Sequence, residues 1–483
     1  MASLFSKQRR EIWSRRIKGF WDEFKHNKIG LVGFIIVLFY AFLAIFAPWL
    51  TPYDPIAAHT VAEGFAMPEW TTLAPQNMYL PRTMDLSLDW SVEDDSEIIS
   101  VTDSGEGLTI GYNGTEMHSI NLTAAFLYPY EPPEKFRVTF HWSTMTIVDA
   151  EYSLELYIIN PAGNSFIFWA SYQSLPSAPF LSRIQSAKRE AIYSTTLPEY
   201  MWDRLGLVKG TNLAQQILVE PGEYTIQFHM RFRSTAETGA LEIHLEDSRL
   251  MIFGLVHGLL GTDSLGRDIF SQVVYGSRIS LAVGLTSAIL STSLGIFIGI
   301  MAGYFGGIVD EGLMRVVDIL LCLPVLPLLL GLMVIYGASV WYLVILIAVF
   351  GWQGLSRIIR SRVLSLKEMP FVECARAAGA SKFYIMLRHM VPNVLPVAIA
   401  SMILSVPAAI LTEAAISFIG LGDPSAPTWG RMLHYAHTFG AFKELAWWWI
   451  LPPGLAITVL TLCFVFLGHA VDEVINPRLR RRR

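Results

Sequence analysis

The chain has 483 residues, too many for one ordinary domain; 53% are hydrophobic and only 16% charged. With a mean hydropathy of +0.42, this composition excludes an ordinary soluble globular protein. The formal net charge of −5 hides a split: residues 51–260 carry 11 Lys+Arg against 26 Asp+Glu, a balance of −15, which leaves +10 for the rest. An acidic middle between basic flanks points to two compartments, with the basic flanks in the cytoplasm. Because that basic charge borders apolar runs, nucleic acid is not an expected partner. The cysteines, Cys322, Cys374 and Cys463, all lie outside the acidic middle, which must fold without disulfides. No two of them have metal-site or redox spacing.

Residues 1–28 are rich in Lys and Arg (Lys7, Arg9, Arg10, Arg15, Arg16, Lys18, Lys25, Lys28) and form a cytoplasmic amphipathic lead-in. Residues 29–50 are the first apolar run. A signal peptide is the alternative, but the run is long for one and ends in Pro48-Trp49, an interfacial anchor. An uncleaved span is expected.

After Pro52 the texture changes. Tyr224, Ile226, Phe228, Met230 and Phe232 alternate with Thr225, Gln227, His229, Arg231 and Arg233. Leu241, Ile243 and Leu245 alternate with Glu242, His244 and Glu246, and Val138, Phe140 and Trp142 keep the same period. Period two means half-buried strands, and Asn160-Pro161-Ala162-Gly163 and Pro221-Gly222 are turn chemistry. Residues 51–260 are therefore expected to form an antiparallel β-sandwich. Residues 197–218 are helical or irregular.

Apolar runs return at 279–304, 313–335, 340–352, 394–418 and 448–470, the third being short unless it extends at one end. With the first run they make six spans, so both termini share one side. Arg478, Arg480, Arg481, Arg482 and Arg483 favour the cytoplasm for the tail, residues 476–483. Residues 357–388, with seven basic and two acidic side chains, fall on that same side. The β-rich domain then falls outside.

The stretch 371–392 is short, basic and rich in Ala. Pro370 can start a helix because its missing N–H is not needed there. Residues 371–378 make about two turns, Gly379 breaks them, Ser381 caps a second helix and Pro392 limits it. Ala375, Ala377 and Ala378 give a low-profile surface suited to a groove in another protein. A solvated connector is the alternative, but it would not need two capped helices.

Glu373, Ala375, Gly379, Ile385, His389 and Pro392 resemble the "EAA" loop of membrane subunits of ABC importers. Cys374 departs from that motif, standing where its first Ala would be. The segment Gly261-Thr262-Asp263-Ser264-Leu265-Gly266-Arg267-Asp268, with Tyr275-Gly276-Ser277-Arg278, is similar to the approach to the second span in peptide-type permeases. Asp310 with Met314-Arg315-Val316-Val317-Asp318 resembles the start of their third span. Ser417-Phe418-Ile419-Gly420-Leu421-Gly422 and Pro427-Thr428-Trp429-Gly430 are similar to the loop after their fifth. Pro453-Gly454-Leu455-Ala456-Ile457 and Asn476-Pro477-Arg478-Leu479-Arg480 fit their last span and tail. Together these resemble the "C" subunit of the dipeptide/oligopeptide/nickel permease family.

The resemblance implies an α-helical polytopic membrane protein with six transmembrane helices of the type I ABC importer kind; the extracytoplasmic mostly-β sandwich is expected from the strand alternation. It implies a motif segment at 261–278, a five-helix core at 279–475 and a coupling loop at 354–392. It implies a second homologous permease subunit, two cytoplasmic ATPase subunits, an extracytoplasmic substrate-binding protein and the lipid bilayer of the plasma or inner membrane. Phe371, Glu373, Ala375, Arg376, Ala377, Ala378, Gly379 and Ser381 would contact the ATPase. The large β domain is the departure, since relatives usually carry a short loop there.

The remaining candidates are weaker. No G-x-x-x-x-G-K followed by Ser or Thr is present, so the chain is expected to be no enzyme and to bind no cofactor, with ATP and Mg on partner subunits. Glu413 lies within a span, where a carboxylate either lines the path or a gate or pairs across a subunit interface. Asp310, Arg315 and Asp318 have helical spacing and form a structural ion-pair cluster or part of an inner gate. Trp447, Trp448 and Trp449 are expected in an interfacial belt. His434 and His437 lack a third ligand for a metal. Asn113 and Asn121 begin glycosylation triplets. The β domain could dock the binding protein, bind glycans through Trp142, Trp169, Tyr172 or Trp202, or shield the surface. An enzyme or receptor acting through it is the competing class, yet Asp94-Asp95 and Glu246-Asp247 are adjacent pairs that point apart on a strand. The transported solute is a peptide, an oligosaccharide or nickel.

Overall fold

The computed structural model describes residues 18–51, 53–55, 60–92, 98–103, 107–148, 150–173, 183–195, 212–234, 236–237 and 239–475, with backbone alone at 142–148, 171–173 and 183–190. Most of the basic lead-in, the tail 476–483, Asp94-Asp95, Trp202 and the side chains of Trp142 and Tyr172 lie outside the described residues. The chain divides into two units, Met1–His59 with Ile269–Arg483, and Thr60–Asp268.

In the first unit, α1 is Lys28–Leu50, started by the Asn27 side chain, which accepts from Gly30 N at 3.0 Å. Next, α2 is Ile269–Phe305, beginning ten residues before the expected span, so Tyr275–Arg278 lie inside it. Residues 313–335 were expected as one straight span. They form instead α3, Gly307–Cys322, and α4, Val325–Tyr336, bent by 86°. Pro324 sits at the break; it has no N–H to donate, and Leu323 before it is extended at φ −74, ψ 137.

Helix α5 is Val340–Lys367, interrupted at residues 350–352. It gains its length from Gln353–Lys367, which the sequence reading placed in the loop because of its Arg residues. Ser356, Ile359 and Val363 are nevertheless fully buried. Then come α6, Pro370–Ala377, and α7, Lys382–Phe418. Pro392 does not limit a separate helix as expected. The chain passes through a π turn at Met386–Met390, Val391 N donates to Met386 O, and the Asn393 side chain donates to His389 O at 2.7 Å. The wider turn takes up the proline without ending the helix. The unit closes with α8, Trp429–Thr438, and α9, Trp447–Ile475. Five helices among the described residues are long and apolar enough to cross a membrane, or six if the bent α3–α4 pair is one span.

Small residues set the helix contacts. A Cβ on Gly30 would lie 2.2 Å from Ala470 Cβ and one on Gly33 2.8 Å from Cys463 O, so α1 lies directly on α9. On α2, Gly295, Gly299 and Gly303 repeat every fourth residue and face Leu355, Ile359 and Val363 of α5. Such stripes let backbones approach closely where lipid offers no hydrophobic drive.

In the second unit the strands are β1 Met84–Ser87, β2 Ser91–Val92, β3 Ile99–Asp103, β4 Leu108–Gly114, β5 His118–Tyr128, β6 Lys135–Val148, β7 Ala150–Ile159, β8 Ser165–Gln173, β9 Arg183–Tyr193, β10 Gly222–Ser234 and β11 Gly239–Phe253. One antiparallel sheet has the order β3-β4-β11-β6-β9 with β1 also on β11; the other is β2-β5-β10-β7-β8. Their inner faces meet, with Phe140 against Phe228 at 5.2 Å and Tyr112 against Phe232 at 5.7 Å between ring centres. On β10 the alternating residues from Tyr224 to Phe232 are at most 1% exposed. On β11 the inward set changes from Leu241, Ile243 and Leu245 to Ser248, Leu250 and Ile252, because the register slips between His244 and Asp247. Residues 213–217 form a short helix capped by Asn212; 197–211 lie outside the described residues.

Residues 261–268 do not simply lead into the second span. They belong to the β unit, where Val61 N donates to Gly266 O, Phe65 N to Asp263 O and Met67 N to Leu255 O at 2.8–2.9 Å. Asp263, 0% exposed, accepts from Leu265 N and Arg267 N and pairs with the Arg267 guanidinium at 2.7 Å.

Candidate functional site

Helix α6 is anchored on one side only. Met369 before it is extended and Pro370 occupies its first turn. Val372 is 0% exposed and joins Ile300, Ile359, Val363, Ile385 and Met390 in one apolar cluster, with Ala375 against its edge. Phe371, Glu373, Cys374, Arg376, Ala377 and Ala378 are exposed. Glu373 in the first turn and Arg376 in the last suit the helix dipole.

The turn that follows depends on Gly379. Its φ is +80°, and nothing lies within 4 Å of a Cβ placed there, so the residue is required by conformation and not by space. Ala380 N donates to Ala375 O and Gly379 N to Arg376 O, both at 3.0 Å, which closes the helix end. Ser381 Oγ accepts from Tyr384 N at 3.2 Å and starts α7. The surface continues through Phe383 and Tyr384, 66% and 52% exposed. Seven of the eight expected contact residues are thus exposed on one helix and turn, Ala375 being partly buried, and a 37-residue helix follows.

The charged candidates are placed differently. Asp310 and Asp318 do not pair with Arg315. They reach across to α5, Asp310 accepting from Nε and Nη2 of Arg360 and Asp318 from Arg357. Arg315 makes no ion pair among the described residues. Removing Arg360 leaves Asp310, whose side chain is 16% exposed, without its counter-charge. Arg360→Ala should destabilise the chain by about 1–3 kcal/mol. Arg357→Ala, breaking a pair about half exposed on both sides, should cost below about 1 kcal/mol. Thermal unfolding of the purified chain measures both, and the exchange of Asp310→Arg with Arg360→Asp should recover part of the loss.

Glu413 is 1% exposed and accepts from Ser417 Oγ, one turn along α7, at 2.7 Å. Trp448 and Trp449 are 7% and 0% exposed, so two of the three expected belt residues are buried within their own unit. His434 Nδ1 donates to Phe418 O at 2.8 Å and His437 packs on the Phe418 ring, so the two histidines serve different contacts. Trp169 packs edge-on against Phe228 of the β core. Sequence reasoning missed Arg360, Arg357 and the glycines 295, 299 and 303. The four-residue spacing of those glycines was the available signal.

The family model for binding-protein-dependent transport system inner membrane components matches residues 295–481. That for the N-terminal transmembrane domain of oligopeptide transport permease C matches residues 16–68. A putative peptide permease protein of Brucella suis is 39% identical over 219 residues, covering 45% of this chain and 72% of its own. The dipeptide transport system permease protein DppC of Bacillus subtilis is 37% identical over 223 residues, covering 46% and 69%. An inward-facing structure of the methionine ABC transporter MetNI overlaps 43% of this chain and 98% of its own, at 16% identity and a TM-score of 0.34. The chain is a polytopic permease subunit of an ABC importer, which works in a membrane with ATPase and substrate-binding partners. It belongs to the dipeptide/oligopeptide permease family and is of the C type. Residues 69–294, with nearly all of the β unit, lie outside both family matches.

Proposed function

We propose that this chain is one of two homologous permease subunits of a peptide importer, driven by two cytoplasmic ATPase subunits and fed by an extracytoplasmic binding protein. The observation that carries the reading is α6: its Val372 and Ala375 side is packed into the subunit while its Phe371–Cys374–Ala378 side is open. A helix held that way transmits a displacement of whatever docks on it to α5 and α7. Peptides as the solute rest on the names of the relatives, DppC and the Brucella peptide permease. Phe371, Glu373, Ala375, Arg376, Ala377, Ala378, Gly379 and Ser381 form the coupling surface. The chain itself holds no cofactor, and ATP with magnesium belongs to the ATPases.

Parity and charge support the orientation. With the bent α3–α4 pair counted as one crossing, six crossings would leave both termini and α6 on one side and the β unit on the other, and the basic flanks favour the cytoplasm for the first. The −15 charge of residues 51–260 suits steering of a basic binding-protein surface. Affinity purification from the native membrane tests the whole reading. Two ATPases and a second permease should copurify, and ATP hydrolysis should rise when loaded binding protein is added. A binding protein that carries nickel or an oligosaccharide would replace the peptide assignment; no ATPase at all would remove the transporter reading.

A further inference from the structure

Inside the membrane unit lies a cavity of about 180 Å³, well above the roughly 10–15 Å³ that one water needs. Its polar side is made by Ser287 and Ser291 of α2 and Ser405 and Thr412 of α7; Leu329 of α4 and Phe350, in the interruption of α5, stand on its apolar side. Among the described residues no charged one lines it.

The hydroxyls are not equivalent. Thr412 donates to Ala408 O and Ser405 to Met402 O, both at 2.7 Å, which leaves their oxygens as acceptors. Ser291 is 6% exposed and its hydroxyl has no hydrogen-bond partner among the described residues. A helical serine ordinarily turns back to its own preceding turn, as Ser293 does to Ile289 O at 2.8 Å. An unused donor within a membrane segment is costly unless water or a solute takes it up.

We propose that this cavity is the share of the solute path contributed by this subunit, and that its hydroxyls contact the amide backbone of a peptide in transit. Ser405 and Thr412 accept from amide N–H groups, and Ser291 donates to a carbonyl. The inference rests on the peptide-importer reading. Contacts of this kind do not sense side-chain charge, so peptides of either sign can pass and selection falls to the binding protein. A bare transition-metal ion would meet no imidazole, thiolate or carboxylate there.

The test uses the complete transporter with Cys322 and Cys374 changed to Ser. The S291C variant should react with the impermeant cation MTSET about tenfold faster than S293C, which is exposed on the same helix, because only a water-connected thiol ionises and reacts. Ala409→Phe, which fills the cavity from α7, should cut uptake of radiolabelled tri-alanine by about tenfold while stimulated ATP hydrolysis stays within about threefold. Equal labelling of S291C and S293C overturns the proposal. So does wild-type uptake by the assembled A409F transporter. If the unmodified transporter hydrolyses ATP but carries no tri-alanine, the peptide assignment fails and the amide contacts with it. If no ATPase assembles, the failure lies in the transporter reading.

Discussion

Gly379→Pro will abolish stimulated ATP hydrolysis and import, by about tenfold or more, while leaving the amount of chain in the membrane near wild type. The position has φ +80°, and proline is confined to about −65°. The turn between α6 and α7 must then take another course. The hydrogen bonds from Gly379 N and Ala380 N that close α6 are lost with it. The spans do not depend on this turn, since the cluster around Val372, Ile385 and Met390 is formed from both its sides. Gly379→Ala separates conformation from bulk. Nothing crowds the site, so Ala suffers only the left-handed backbone cost of about 1–2 kcal/mol and should lose less activity. Copurifying ATPase and its stimulated rate are the measurements. A fully active G379P transporter would reduce α6 to a connector.

Gly299→Leu will strike the fold harder. An added Cβ would lie 2.7 Å from both Ile359 Cβ and Ser356 O, so α5 has to move away from α2. Overpacking alone costs about 1–3 kcal/mol. Here the displaced helix also carries Arg357 and Arg360, so both ion pairs to α3 are strained together. The unfolding midpoint in detergent should fall by several degrees, and import should drop by about tenfold. Ser293→Leu, on the exposed face of the same helix, should change little. A G299L chain as stable as S293L would mean that α2 and α5 are not held by this stripe.

The sequence revealed what periodicity and charge encode. The spans, the acidic insert and the strand alternation of β10 were all visible, because each repeats over many residues. The errors came where one residue has two possible outcomes. Pro324 ends a helix, whereas Pro392 is carried inside one, and Pro396, Pro407, Pro452 and Pro453 are likewise within helices. The difference lies in whether a neighbour can supply the missing hydrogen bond or a wider turn can absorb it, which is a property of the folded chain. The second half of α5 was hidden because its Arg357, Arg360 and Arg362 resembled a loop by charge. Its buried stripe of Ser356, Ile359 and Val363 is visible only once a partner helix is known. The same holds for Asp310 and Asp318: helical spacing grouped them with Arg315, but their partners lie on α5, about 40–50 residues away.

The stitching of residues 61–67 to 254–266 has a consequence for how such a chain could arise. The insert's first and last segments are hydrogen-bonded to each other, so its own hydrogen bonds hold its two ends together. A module closed in this way has its two ends close together, as a short turn does. It could therefore be gained, exchanged or lost as a block without re-spacing the helices. That accounts for a permease whose family matches stop at residue 68 and resume at 295 while its β unit lies between them.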